Sequence, residues 1–257
     1  MIPIKSESEI TIMRTACRIA ATVLDRLCRL VAPGVNTYDL DQEGRKLLGS
    51  YDARSACFGY QVGSKRFPAY TCLSVNDEIV HGIGTLKRVL QDGDIISVDV
   101  CVEYQGFIGD NARTVAVGDI APARQKLLTV TEEALLKGIQ QARPGNRVGA
   151  ISNAVERAVR PFGYGIIRDF VGHGVGRSMH EAPQIPNFGP ASRGERLRPG
   201  MTLAIEPMIA EGRSQVVMAD DGWTALTVDG LPAAHFEHTV LVTGGDPEIL
   251  TIPDSGI

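Results

Sequence analysis

Several features are missing from this chain of 257 residues, and each absence removes a class of explanation. No stretch reaches the roughly 18 apolar residues of a membrane span. Residues 1–10 carry a lysine and two glutamates where a secretory signal would have an apolar core. The net charge of −4 lacks the basic excess of a dedicated nucleic-acid binder. The five cysteines (17, 28, 57, 72 and 101) are odd in number, irregularly spaced and without a CxxC pair. That argues against a disulfide framework or a zinc ribbon and makes the reducing cytoplasm the expected compartment. HExxH, GxSxG and Walker A sequences are all absent. Neither His81-Gly-Ile-Gly84 nor Gly174-Val-Gly176 continues to the third glycine of a dinucleotide loop.

What remains is an ordinary globular composition, 44% hydrophobic and 22% charged. Ile12, Ala16, Ile19, Ala20, Val23, Leu27 and Leu30 recur at helical spacing, predicting a helix over 8–31 stopped by Pro33-Gly34. Thr37 is the expected cap of a second helix, 37–50. Strand patterns follow at 71–75, 79–81, 95–104 and 113–117, the last reaching back to 107 if Gln105-Gly106 closes a hairpin. Helices over 122–142, ended by Pro144-Gly145, and 147–160 come next. Strands are then expected near 167–173, 202–210, 215–219 and 235–242.

This order repeats. Leu90–Asp99 and Leu197–Glu206 match at a constant offset of 107: a leucine, a turn ending in glycine, an apolar strand, then a carboxylate. The two Pro-Gly stops lie 111 apart, and His81-Gly-Ile-Gly84 echoes His173-Gly-Val-Gly176 at an offset of 92. The reading is α+β, with halves of about 1–120 and 121–257 forming one domain around a cleft.

The chemistry lies in carboxylates placed inside apolar strands. Asp99 interrupts Ile95–Val102, where a lone carboxylate is costly. In a 95–104/107–117 hairpin, Asp110 comes out nearly opposite it. Like charges so placed repel, and a cation between them removes the difficulty. Glu206 and Glu237 repeat the pattern in the second half, and His173, flanked by glycines, adds a nitrogen. Each alone fits a turn cap, an arginine partner or a loop histidine. Four carboxylates and an imidazole together suit a pair of divalent ions that activate water, as in two-metal hydrolases. His81 and His180 remain free to donate a proton or a hydrogen bond.

The runs Phe170–Pro183 and Leu197–Met208, and the blocks around Trp223 and Glu237, resemble type I methionine aminopeptidase. The resemblance spans nearly the whole chain, to about residue 243. It implies the pita-bread fold, two pseudo-symmetric halves around a dimetal cleft. By position, Asp99, Asp110, His173, Glu206 and Glu237 match the ligands of two divalent ions (Co, Mn, Fe, Ni or Zn). Asp110 and Glu237 match the bridging ligands. Asp99 matches a ligand of one ion, and His173 with Glu206 ligands of the other. His81 and His180 match substrate-contacting histidines, and Glu206 the proton acceptor. Cys57, Tyr60, Phe67, Cys72, Met179 and Trp223 match the methionine pocket. Met179 stands where phenylalanine is common, and the Tyr60–Phe67 segment is longer than usual. A monovalent cation near Asn76 is implied too. The expected activity is removal of the first methionine from nascent polypeptides with a small second residue. The expected setting is cytoplasmic: a monomer in transient proximity to the ribosome but without a docking extension, nucleic-acid motif or membrane segment. Proline dipeptidases, creatine amidinohydrolases and metal-free binding proteins share that fold.

Overall fold

The structure, a computed structural model, describes residues 2–253. Four helices form within three residues of the positions set by apolar periodicity: α1 Glu7–Leu30, α2 Thr37–Gly49, α3 Pro122–Ile139 and α4 Val148–Val159. A capping box opens α1, with Ser6 Oγ accepting the Glu9 N–H and the Glu9 carboxylate accepting the Ser6 N–H. Thr37 does not cap α2. Asn36 does, its side-chain oxygen accepting the Asp39 N–H at 2.8 Å, while Thr37 is buried against the backbone of Thr85.

A nine-stranded antiparallel sheet forms the centre. Its path runs Arg54–Ser55, Ile95–Tyr104, Phe107–Ala116, Glu237–Leu241, Thr202–Ile205, Gly172–Gly174 and Glu181–Ile185. Cys72–Val75 adds to Ile95–Tyr104, and Glu248–Ile249 to Glu237–Leu241. Strand side chains alternate between faces. Ile96, Val98, Val100 and Val102 therefore meet Ile19, Val23, Leu27 and Leu40 of α1 and α2. Leu203, Ile205 and Val240 meet Leu127, Leu135, Ile151 and Val155 of α3 and α4 on the same face. The alternate residues point the other way. Asp99, Ala112 and Glu237 line up across three neighbouring strands there.

Backbone bonds repeat between the halves. Gly34 N–H reaches Leu90 O (2.8 Å) as Gly145 N–H reaches Leu197 O (3.0 Å), and Gly93 N–H reaches Val117 O as Gly200 N–H reaches Val242 O, both at 2.9 Å. The offset-92 echo is coincidental. Ser74 pairs with Ser97 as His173 pairs with Ala204, so His173 corresponds to Ser74, while His81 lies beyond its strand at φ +61. Asp99 and Asp110 are diagonal neighbours on one face, because Asp99 pairs with Ala112 and Asp110 with Cys101.

Three expected strands are interrupted. The 202–210 run breaks at Glu206-Pro207, where proline has no N–H for a ladder. The 235–242 run breaks at Phe236, and 167–173 becomes Gly165–Ile166 and Gly172–Gly174. The displaced pieces Met208–Ala210 and Ala233–His235 join Gly165–Ile166 in a small second sheet. Another small sheet joins Glu78–Val80, Ala225–Thr227 and Val216–Met218. Val80, Met208 and His235 from these sheets wall a cavity over the helix-free face. Among the described residues, no helix is long and apolar enough to cross a membrane.

Candidate metal centre

Strand parity brings the carboxylates together. Asp99 and Asp110 come from one hairpin, Glu237 stands beside them across from Ala112, and Glu206 follows the strand paired to Glu237's own. His173 enters between two strands because its neighbours are glycines. A Cβ on Gly172 would lie 2.5 Å from Ala204 O, and one on Gly174 would lie 2.2 Å from Ala182 O. Only a chain without side chains there fits so close to both neighbouring strands.

All thirteen side chains singled out in the sequence line one cavity of about 270 Å³. At its floor, His173 Nε2 is 3.3 Å from Glu206 Oε1 and 4.0 Å from Asp110 Oδ2. His173 Nδ1 lies 2.9 Å from Gly174 O. A carbonyl only accepts, so Nδ1 carries the proton and Nε2 turns its lone pair toward the carboxylates. Lone pair facing carboxylate is repulsive unless a cation or proton lies between. Glu237 Oε1, buried, has no hydrogen-bond partner, and His235 Nε2, also buried, has only Glu206 Oε2 at 3.5 Å. One ligand atom from each of Asp110, His173 and Glu237 falls within 4.8 Å of the others, as does one from each of Asp99, Cys101 and Asp110. These groups fit divalent cations, and the orphaned Glu237 oxygen is an acceptor that such an ion would satisfy.

The electrostatics agree. Burial pushes Asp99, Glu206 and Glu237 well above the usual carboxylate range, with neighbouring carboxylates adding to the rise at Asp99 and Glu237. Burial also lifts Asp110 to about 8. It lowers His81 and His173 to about 4, and it pushes His180 and His235 down as well. The imidazoles are neutral at neutral pH, so each keeps one donor and one acceptor nitrogen.

The rest of the cavity is mostly apolar. Phe67 meets Trp223 edge to face at 5.3 Å, beside Cys57, Cys72, Tyr60 and Met179. Tyr60 Oη is 2.7 Å from His180 Nδ1, and the His180 ring lies 4.4 Å from that of His173. His81 is held edge to face against Phe170. The long Tyr60–Phe67 segment folds into a two-stranded hairpin, Gln61–Val62 with Lys65–Arg66, and Val62 reaches the cavity. At Asn76 (φ +56), the side-chain oxygen accepts from Ile95 N–H and Arg124, while the amide donates to Asp94.

Two polar groups on the cavity wall escaped the sequence reading. Cys101 shares strand parity with Asp99, so the alternation that found the carboxylates carried the signal for it; His235 lies on a separate strand in the small second sheet, where that alternation does not reach. Four of the chain's five histidines line this one cavity.

The model of metallopeptidase family M24 matches residues 11–244. The chain belongs to that family. Divalent metal use comes with M24 membership, in keeping with the ligand groups at the cavity floor. Methionine aminopeptidase A of Synechocystis sp. is 47% identical, over 98% of both chains. Among solved structures, the methionine aminopeptidase of Thermotoga maritima superposes with a TM-score of 0.94 at 45% identity, covering 98% of this chain and 99% of its own. The chain therefore falls among the methionine aminopeptidases within M24. The Pyrococcus horikoshii prolidase (TM-score 0.76, 23% identity) shares the pita-bread fold, but this chain covers only 64% of it.

Proposed function

We propose that this chain removes the N-terminal methionine from polypeptides whose second residue is small, using two divalent ions held by Asp99, Asp110, His173, Glu206 and Glu237. The observation that carries the reading is the His173 Nε2 lone pair, turned toward Glu206 and Asp110 at the floor of an apolar cavity. The likeness to methionine aminopeptidases over the full chain supports the substrate class. The two halves act as one catalytic unit, because each contributes ligands to the same centre. Bound there, the ions would polarise the scissile carbonyl and make a water nucleophilic near neutral pH.

The remaining work falls to side chains. An unbranched thioether suits a pocket walled by Phe67, Trp223, Cys57 and Cys72. The substrate's amino group lies toward Asp99. Tyr60 keeps its phenolic proton, since burial raises its pKa. Its hydroxyl then donates to His180 Nδ1, which leaves His180 Nε2–H to donate to the carbonyl oxygen as negative charge develops. Glu206 takes the proton from the attacking water. His81 stands near the scissile nitrogen and assists the leaving amine. Crowding at the pocket mouth restricts the second residue.

The setting proposed is the cytoplasm, with a monomer meeting nascent chains near the ribosome. A monovalent cation at Asn76 belongs to the same proposal. Asn76 O accepts the Ala233 N–H at 2.9 Å, and a second lone pair remains for an ion. The test is release of the first residue from Met-Ala-Ser, Met-Leu-Ser and Ala-Pro peptides by metal-loaded protein. Cleavage of the first alone is expected. Equal turnover of Met-Ala-Ser and Met-Leu-Ser would remove the second-residue claim, and preference for Ala-Pro would replace the reading with a proline peptidase.

A further inference from the structure

Cys101 is the cavity thiol seated among carboxylates. Ten residue pairs fix the hairpin that carries it, so its place is set by register: two positions after Asp99 on the same face, directly across from Asp110. The thiol is buried. Its Sγ lies 2.7 Å from Asp110 Oδ1 and 3.7 Å from Asp99 Oδ1. Asp99, Cys101 and Asp110 thus present two oxygens and a sulfur within 4.8 Å of one another; the sulfur meets Asp110 Oδ1, while His173 faces Asp110 Oδ2. The unpartnered Glu237 Oε1 in the same cavity, a buried carboxylate oxygen, independently indicates that protein atoms alone do not complete this centre. The donor set is asymmetric. Oxygen and imidazole nitrogen surround one end, and the other end adds a soft donor, the kind that favours zinc, cobalt or iron over manganese or magnesium.

We propose that Cys101 is a sulfur ligand to the divalent ion held at the Asp99 end, making the two metal positions chemically unequal. The inference rests on the dimetal reading of the cleft. As the metal–sulfur bond forms, the thiol's S–H bond breaks and its proton passes to buffer, so metal uptake at this end releases one proton more than carboxylates alone would.

Cobalt(II) is the probe, added anaerobically to the full metal-free chain while the absorption spectrum is followed. Visible d–d bands report that cobalt has bound. A near-ultraviolet sulfur-to-cobalt charge-transfer band reports a Co–S bond. Both are expected in the parent protein, with the charge-transfer band lost in Cys101→Ser and Cys101→Thr but kept in Cys72→Ser. The d–d bands in each variant show that its site has folded and loaded. Zinc affinity should fall in Cys101→Ser by more than the roughly 10- to 100-fold that loss of an outer-shell partner costs, and manganese affinity should fall much less. X-ray absorption on the zinc-loaded parent, which needs no variant, should show a sulfur scatterer at about 2.3 Å. Visible bands without a charge-transfer band, or a band that survives loss of Cys101, would overturn the assignment and leave the thiol a hydrogen-bond donor to Asp110. Failure to bind cobalt at all would instead overturn the dimetal reading beneath it.

Discussion

Replacing Lys5 with methionine removes one ammonium group and strands one carboxylate. Lys5 Nζ sits 2.5 Å from Glu181 Oε2, with side-chain exposures of 5% and 11%. The lysine is admitted by Gly176, where a Cβ would lie 2.4 Å from Lys5 Cε. Its own N–H is tied to Gly200 O at 2.8 Å. The second Glu181 oxygen accepts the N–H groups of Arg177 (2.8 Å) and Ser178 (3.3 Å), which closes the loop that presents Met179 and His180. Breaking a buried pair from one side costs about 3–5 kcal/mol. Because two N–H donors stay on Glu181, about 3 kcal/mol is the expected loss. At about 2–4 °C per kcal/mol for a chain of this size, the melting temperature should fall by about 6–12 °C. A loosened loop also displaces His180, so kcat on Met-Ala-Ser should drop by up to about 100-fold with metal content unchanged. Thermal unfolding and peptide kinetics on Lys5→Met, Glu181→Gln and the double variant form a cycle. The double variant should recover part of the loss. A Lys5→Met protein that melts within a degree or so of the parent would refute the reasoning.

Other consequences follow from the same geometry. Exchanging His180 for alanine should lower kcat by about 100- to 1,000-fold while both metals stay bound; loss of metal would show that the residue is a ligand. Gly174→Ala forces a Cβ onto the backbone of Ala182, so it should cost at least about 1–3 kcal/mol and weaken metal retention, read by unfolding and by metal analysis. The metal-free protein should lose stability as pH rises above about 7, where the imidazoles are neutral whether folded or unfolded. Its buried carboxylates hold protons in the fold, Asp110 up to about 8, that the unfolded chain releases near pH 4. The stability of the protonated state is complete below the unfolded value and declines through the folded one. Melting temperatures of stripped protein should therefore fall from about pH 7 to about pH 8, above the range in which the buried histidines oppose the trend, and added metal should flatten the profile. A stripped protein whose melting temperature climbs over that interval would contradict the proposed crowding of carboxylates.

Much of this architecture was legible because it is local. The helices announce themselves by apolar spacing and Pro-Gly stops. The Ile95–Ala116 hairpin follows from alternation about Gln105-Gly106, both at positive φ. The four carboxylates were visible because a charge inside an apolar strand needs a reason. What the sequence hid is long-range. Pro207 marks an edge or bulge after Glu206, but nothing near Phe236 announces a break, and neither position shows that the broken pieces supply a second sheet, since that depends on which partner offers free backbone groups. The offset-92 histidine echo misled because short glycine-flanked motifs recur without structural equivalence. Hydrogen-bond register separates them, placing His173 opposite Ala204 and Ser74 opposite Ser97. Cys101 and His235 were overlooked for a different reason: a thiol or an imidazole on a strand reads as ordinary core until its neighbours are known.

The most direct test of the central claim is anomalous scattering from crystals of metal-loaded protein, recorded at the absorption edge of the metal supplied. Two peaks are expected among Asp99, Asp110, His173, Glu206 and Glu237, with Asp110 and Glu237 touching both. A cavity floor without anomalous signal, or metal bound only at other places on the molecule, would contradict the account.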